Sequence, residues 1–201
     1  MNILYRIACI GIGYVCGCFL TAVYVTRMYT GKDVSEIGMY GNPGMANVMA
    51  NVGKFPGILV LLGDLAKTVI ASIISWYLFH TELGMLVFLY AGSGASLGHC
   101  YPFWRHFSGG KAVTTICATI ILYSFPYGTA ASIAGFIVVL ITKYLSIGGT
   151  CIPAFFTLFM LMTKQYEAAF IGLSLTVLAF IRHHSAMVKD LSGTGKKFKI
   201  H

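Results

Sequence analysis

Ser108-Gly109-Gly110-Lys111 separates two long apolar stretches, and its reading decides where the rest of the chain lies. Hydrocarbon solvates neither a lysine ammonium nor the bare backbone N–H groups of adjacent glycines. The segment is therefore predicted at a membrane–water boundary, where those groups can meet an anion. Glycine lets the backbone approach a phosphate closely, and successive N–H groups can converge on its oxygens. A helix beginning at Lys111 would add its positive end. The stretch implies a membrane protein with an anion site at its surface.

Composition supports this. The chain has 201 residues, 57% hydrophobic and 10% charged, with a mean hydropathy of +0.79. A soluble domain carries about 25% charged residues, so most of this exterior must face lipid. The net charge of +8 comes from 14 Lys plus Arg against six acids. In a soluble protein that excess would suggest nucleic acid. Here it suggests cytoplasmic loops beside anionic headgroups and substrates, so the bilayer is a partner and nucleic acid is not. Cys9, Cys16, Cys18, Cys100, Cys117 and Cys151 lie in or beside apolar runs and read as small buried hydrophobes. No spacing of His, Cys, Asp or Glu suits a metal, so neither metal nor cofactor is expected; His99 and His106 read as packing or interfacial residues.

Spans are predicted over Ile3 to Thr26, Phe55 to Phe79 and Leu83 to Phe103. The run from Ala112 to Thr142 exceeds the about 20 residues one crossing needs, and Pro126 and Gly128 divide it in two at a turn. Further spans follow at Thr150 to Met162 and Glu167 to Ile181. The first run has only Arg6 as an early charge and reads as a retained span, not a cleaved signal. The expected fold is an all-α, seven-helix transmembrane bundle, one membrane-embedded domain over residues 1–201 with a basic cytoplasmic tail at 185–201. With the N-terminus outside and the C-terminus cytoplasmic, eleven of the 14 basic residues fall inside: Arg27, Lys32, Lys54, Arg105, Lys111, Lys143, Arg182, Lys189, Lys196, Lys197 and Lys199. A five-helix count preserves much of that bias. Asp64 and Lys67, neighbours on one helix face, read as an intramembrane ion pair, either functional or locking helix packing.

Three segments fall on the cytoplasmic side. Gly38-Met39-Tyr40-Gly41-Asn42-Pro43-Gly44-Met45-Ala46-Asn47 is too rich in glycine and proline for a regular helix and reads as a shaped loop. Gly98-His99-Cys100-Tyr101-Pro102 leads to Lys111, without the spacing of a Walker A loop. Arg182-His183-His184 ends the last helix, where its dipole favours cations.

Together these segments resemble, over essentially the whole chain, the bacterial acyl-phosphate-dependent glycerol-3-phosphate acyltransferases. Gly41-Asn42-Pro43-Gly44, Asn47-Val48 and Gly53-Lys54 are similar to the family's first motif, and Asp64 and Lys67 to an Asp-x-x-Lys that follows it. Leu97-Gly98-His99, Pro102-Phe103 and Gly109-Gly110-Lys111 resemble the second motif. Tyr144, Ser146 and Gly148 resemble a loop supplying a substrate-contacting serine, and Arg182-His183-His184 with Ser192-Gly193-Thr194 the third motif. The chain departs from the family pattern at Tyr40, Ala50, Ala112, Ala186 and Gly195, which stand where serine, arginine, glycine, asparagine and an acid are usual.

The resemblance implies a multi-pass enzyme of the bacterial cytoplasmic membrane, its active site facing the cytoplasm. It would move a fatty acyl group from acyl phosphate to glycerol 3-phosphate, giving lysophosphatidate. Lys111 and His183 are the implied catalytic residues. Asn42, Gly44, Asn47, Gly109, Gly110, Lys111 and Ser146 would bind substrate or phosphate. Two alternatives stay open: a non-catalytic relative that binds a phosphorylated lipid precursor in a regulatory role, and a small transporter.

Overall fold

The structure, a computed structural model, describes residues 3–38 and 41–195, so Tyr40, Lys196, Lys197 and Lys199 lie outside the described residues. Among these the regular structure is all helical. Nine α-helices follow in order: α1 (Ile3–Gly17), α2 (Thr21–Thr30), α3 (Met45–Asn51), α4 (Lys54–Leu83), α5 (Leu86–Cys100), α6 (Val113–Tyr123), α7 (Phe125–Thr142), α8 (Leu145–Met162) and α9 (Tyr166–Leu191). Among the described residues, five stretches are long and apolar enough to cross a bilayer: Ile3–Thr30, which holds α1 and α2, and then α4, α7, α8 and α9. The chain is a polytopic, all-α membrane protein.

Helix boundaries differ from the sequence expectation for local reasons. The first span breaks at Cys18–Leu20 and resumes as α2. The break near Pro126 falls at Ser124, because proline is accommodated in the first turn of α7. α8 begins at Leu145 and carries Pro153 in its interior. α9 continues through the Arg182-His183-His184 segment to Leu191, so residues 185–191 are helical. Part of the first glycine-rich segment is helical too: once Gly44 has turned the chain, Met45–Asn51 forms α3.

The chain divides at 118/119 into two compact units. In the first, α1 and α5 pack closely enough that no side chain fits between them. A Cβ on Gly13 would lie 1.9 Å from the Ala91 carbonyl oxygen, and one on Gly94 would lie 2.1 Å from that of Ile10. Small residues four apart, Gly13 and Gly17 on α1 against Ala91 and Ala95 on α5, create this approach. Beside it, Val34, Val48 and Val60 are fully buried with Leu20 and Val23, pinning the first segment and α3 onto α2 and α4. Each such valine contributes about 1.5–3 kcal/mol.

The break between α1 and α2 is stabilised by Lys67. Val23 N–H bonds Leu20 O, three residues back, so the Phe19 carbonyl loses its helical donor. Lys67 Nζ donates to Phe19 O at 2.8 Å and to His99 Nδ1 at 2.8 Å, and lies 2.9 Å from Asp64 Oδ1. The contact with Asp64 is charge–charge rather than an aligned hydrogen bond. Trp104 Nε1 donates to Cys18 O at 2.8 Å, satisfying a second carbonyl of the break. Of the two sequence readings of Asp64 and Lys67, the structural one describes these contacts.

Outside the spans, Arg105 forms a two-pronged bond with Asp33, Nη1 to Oδ2 and Nη2 to Oδ1, both at 2.9 Å. It clamps the loop after α2 to the loop after α5. Asp33 also caps a short 3-10 turn, accepting from Ser35 N at 2.9 Å while Glu36 Oε1 accepts from Asp33 N at 3.0 Å. The Arg105 guanidinium holds the Asp33 carboxyl well below the usual carboxylate range, and Asp33 in turn raises the arginine. Exposed Phe103, Trp104 and Phe107 surround Arg105, a composition suited to the headgroup level.

In the second unit, α7, α8 and α9 pack in sequence order. A Cβ on Gly148 of α8 would meet Val139 Cγ2 at 2.2 Å and Gly135 O at 2.6 Å on α7. Tyr123 bonds Gln165 across the mouth of this group.

Two outcomes follow. Lys67→Met strands Asp64 in the interior and should cost roughly 3–5 kcal/mol, read as a large fall in thermal midpoint in detergent; Asp64→Asn added to it should restore part of the loss. Asp33→Asn should lower stability by at most about 1 kcal/mol at neutral pH, the pair being partly exposed. Because folding depresses this carboxyl, its contribution is present above the unfolded carboxylate pKa of about 3.9 and is lost as pH falls through the lower folded value. Wild type and variant should therefore converge only in strong acid.

Candidate functional site

The first segment is a loop built on two left-handed glycines. Gly38 and Gly41 have φ of +70° and +54°, and a Cβ on Gly41 would lie 2.6 Å from Ser35 O. Asn47, the third residue of α3, reaches back to close the loop. Its Nδ2 donates to Ile37 O at 3.2 Å and to Asn42 O at 3.1 Å, while Asn51 Nδ2 donates to Asn47 Oδ1 at 2.9 Å. Both donor hydrogens of Asn47 are thereby engaged in the loop. Asn42 and Gly44 are half-buried.

The second segment folds against the end of α5 and against this loop. Gly109 N–H donates to Cys100 O and Gly110 N–H to His99 O, each at 3.0 Å. The expectation that these N–H groups are bare is corrected here: they close a turn on the C-terminal carbonyls of α5. The glycines serve by lacking side chains. A Cβ on Gly110 would stand 2.1 Å from His99 Nε2 and 2.5 Å from Pro43 O, and one on Gly109 would stand 2.1 Å from His99 O. Gly110 therefore joins the first two segments. Half-buried Lys111 follows it directly. The helix expected at Lys111 starts at Val113, because Ala112 takes a left-handed φ of +59°. That conformation suits glycine and costs alanine about 1–2 kcal/mol.

His99 belongs to this junction. Its Nδ1 accepts from Lys67, which fixes the neutral tautomer with hydrogen on Nε2, the atom facing Gly110. Sequence reading placed His99 as a packing residue, and burial at 3% exposure agrees, but the polar link from Lys67 through His99 to the second segment was not legible in spacing.

In the second unit, Ser146 lies in the first turn of α8 and His183 on α9, both buried. His183 Nδ1–H donates to Ala179 O at 2.8 Å, which leaves the ring's basic lone pair on Nε2 in the neutral form. Ser146 Oγ donates to the carboxylate of Asp190, a residue the sequence reading passed over. On α9, His183, Ala186 and Asp190 share one buried face, spaced three and four residues apart. Ala186 fills with a methyl group the face position between the two polar residues. Among the described residues, no group of three or more His, Cys, Asp or Glu is arranged to hold a metal ion.

Comparison with known proteins shows the family. Residues 7–193 match the family model described as glycerol-3-phosphate acyltransferase. Glycerol-3-phosphate acyltransferase 1 of Lactobacillus johnsonii is 36% identical, over 94% of this chain and 90% of that protein. The glycerol-3-phosphate acyltransferase of Prochlorococcus marinus is 33% identical over 98% of both chains. The crystal structure of PlsY (YgiH), an integral membrane glycerol 3-phosphate acyltransferase in its glycerol 3-phosphate form, shares the fold with a TM-score of 0.82 at 23% identity, covering 96% of each chain. Membership thus rests on the sequence match along nearly the whole length, and the fold agrees with it: this chain belongs to the glycerol-3-phosphate acyltransferase family.

Proposed function

We propose that this protein transfers a fatty acyl group from acyl phosphate to glycerol 3-phosphate, producing lysophosphatidate and inorganic phosphate. The observation that carries the reading is the seating of Gly110 against both Pro43 and His99, which joins the family's first two motifs with Lys111 beside the junction. The acyl donor is already activated, since phosphate leaves readily. The enzyme's work is to hold two anions together and to stabilise charge as it moves.

Lys111 supplies a cation for the donor phosphate, beside a backbone that Gly109 and Gly110 keep free of side chains. Since the N–H groups of those glycines are engaged, their part in phosphate binding is close approach. Asn42 and Gly44 offer polar groups of the same loop, and Asn47 holds that loop in shape. Ser146 contacts the acceptor. His183 takes the proton from the attacking hydroxyl at Nε2, the ring nitrogen left as base by the Nδ1–H bond to Ala179 O. The hydroxyl oxygen bonds to the acyl carbon, the bond from that carbon to the phosphate oxygen breaks, and phosphate departs with the electron pair.

The membrane is the bacterial cytoplasmic membrane, crossed seven times with α5 and α6 as shorter crossings. The N-terminus lies outside, and the motifs and C-terminus face the cytoplasm, as the excess of basic residues on that side supports. Regulatory binding without turnover is the reading that Ala50, Ala186 and Gly195 would favour. The assay that separates the two uses purified protein in detergent with acyl phosphate and labelled glycerol 3-phosphate. Labelled lysophosphatidate should form, and Lys111→Ala should reduce kcat/KM for acyl phosphate by about a hundredfold or more, its charge-assisted contact with the donor phosphate being lost. Binding without product, or kinetics unchanged in Lys111→Ala, contradicts the assignment.

A further inference from the structure

Ser146 and Asp190 form a buried polar pair, at 4% and 6% exposure, on the packed α8 and α9 helices. Ser146 Oγ is the only possible donor of the two groups, because an ionised carboxylate only accepts. The serine hydrogen is therefore committed to Asp190, and what Ser146 can offer a ligand is its lone pairs. A group with lone pairs alone beside a negative carboxylate repels a phosphate and attracts a hydroxyl hydrogen.

A second observation concerns how the carboxylate is housed. A Cβ on Gly195 would stand 1.9 Å from Asp190 Oδ1 and 2.9 Å from Asp190 Cγ, so the absence of a side chain there makes room for the acid. The chain thus lacks an acid at 195 but carries one in the space just against it. Asp190 also lies two turns beyond His183 on the same buried face, about 10 Å along the helix axis.

We infer that Asp190 is a positioning residue that turns Ser146 into a hydrogen-bond acceptor, so that this pair reads the hydroxyl end of the acceptor and not its phosphate. The inference rests on the acyl-transfer reading above for the identity of the acceptor. It assigns to Asp190 a role in selecting polyol phosphates over phosphate itself.

Binding measurements test it without requiring turnover. Wild type, Asp190→Leu, Asp190→Asn and Ser146→Ala are titrated calorimetrically in detergent with glycerol 3-phosphate and, separately, with inorganic phosphate. Asp190→Leu and Ser146→Ala should each weaken glycerol 3-phosphate by about tenfold or more, as loss of a hydroxyl contact backed by a charge implies, while inorganic phosphate binds no more weakly than to wild type. Asp190→Asn keeps an oxygen to accept the serine hydrogen and should stay within about threefold of wild type. A merely structural role would lower the thermal midpoint and the binding-competent fraction without changing the Kd. Equal weakening of both ligands, or no change in either Kd, overturns the inference. If Asp190→Leu does not fold, Ser146→Ala and Asp190→Asn decide by the same criteria. Wild type that shows this binding pattern yet makes no lysophosphatidate would refute the acyl-transfer reading and leave the role of Asp190 standing.

Discussion

A helix that breaks inside a bilayer exposes carbonyls that lipid cannot satisfy, and the first unit is organised around the side chain that answers this need. Lys67 gives its hydrogens to Phe19 O and His99 Nδ1 and places its charge beside Asp64. One ammonium thereby connects the kink between α1 and α2, the middle of α4 and the end of α5. Each partner limits the cost of the others: Asp64 neutralises the lysine, the lysine satisfies the broken helix, and both fix the histidine ring. The loops that carry the first two motifs spring from the ends of these helices. Their relative position is inherited from that junction and reinforced outside the membrane by the Asp33–Arg105 clamp.

Several motif residues are committed to the shape of their own segments. Asn47 spends both amide hydrogens on loop carbonyls, and Gly109 and Gly110 are required because backbone and the His99 ring occupy the space of a side chain. Ala112 shows the same logic in reverse. It stands in a left-handed conformation where the family usually has glycine, and α6 starts only after it.

Much of this was legible in the sequence. The apolar runs and sparse charges gave an all-helical membrane protein, and Asp64 and Lys67 announced an interior ion pair by sharing a helix face. The motif segments carried the family. What could not be read depended on contacts between distant residues. The break at Cys18–Leu20 has no proline or glycine at its centre, and its cause is Lys67, nearly fifty positions on. α3 hides behind a Gly-Pro-Gly-rich stretch because Gly44 ends the irregular loop just before a run of helix formers. The extension of α9 past Ile181 was masked by the polar cluster at 182–185, which looks like an exit from the bilayer and is instead a helical continuation. Asp190 was overlooked since no local pattern marks it; only its packing against Ser146 gives it meaning. The small residues at 13, 17, 91, 95, 94 and 98 did carry a signal of close helix packing that their four-residue spacing could have revealed.

We propose that the bilayer confines all of this polar chemistry to one aqueous face. Cysteines placed singly at the exposed positions Ala46, Ser108 and Ser185 can be challenged with a membrane-impermeant thiol label in right-side-out and inside-out vesicles, with the native chain as control. All three should react only in inside-out vesicles, from the cytoplasmic surface. Labelling of any one of them from the opposite surface alone would contradict the claim.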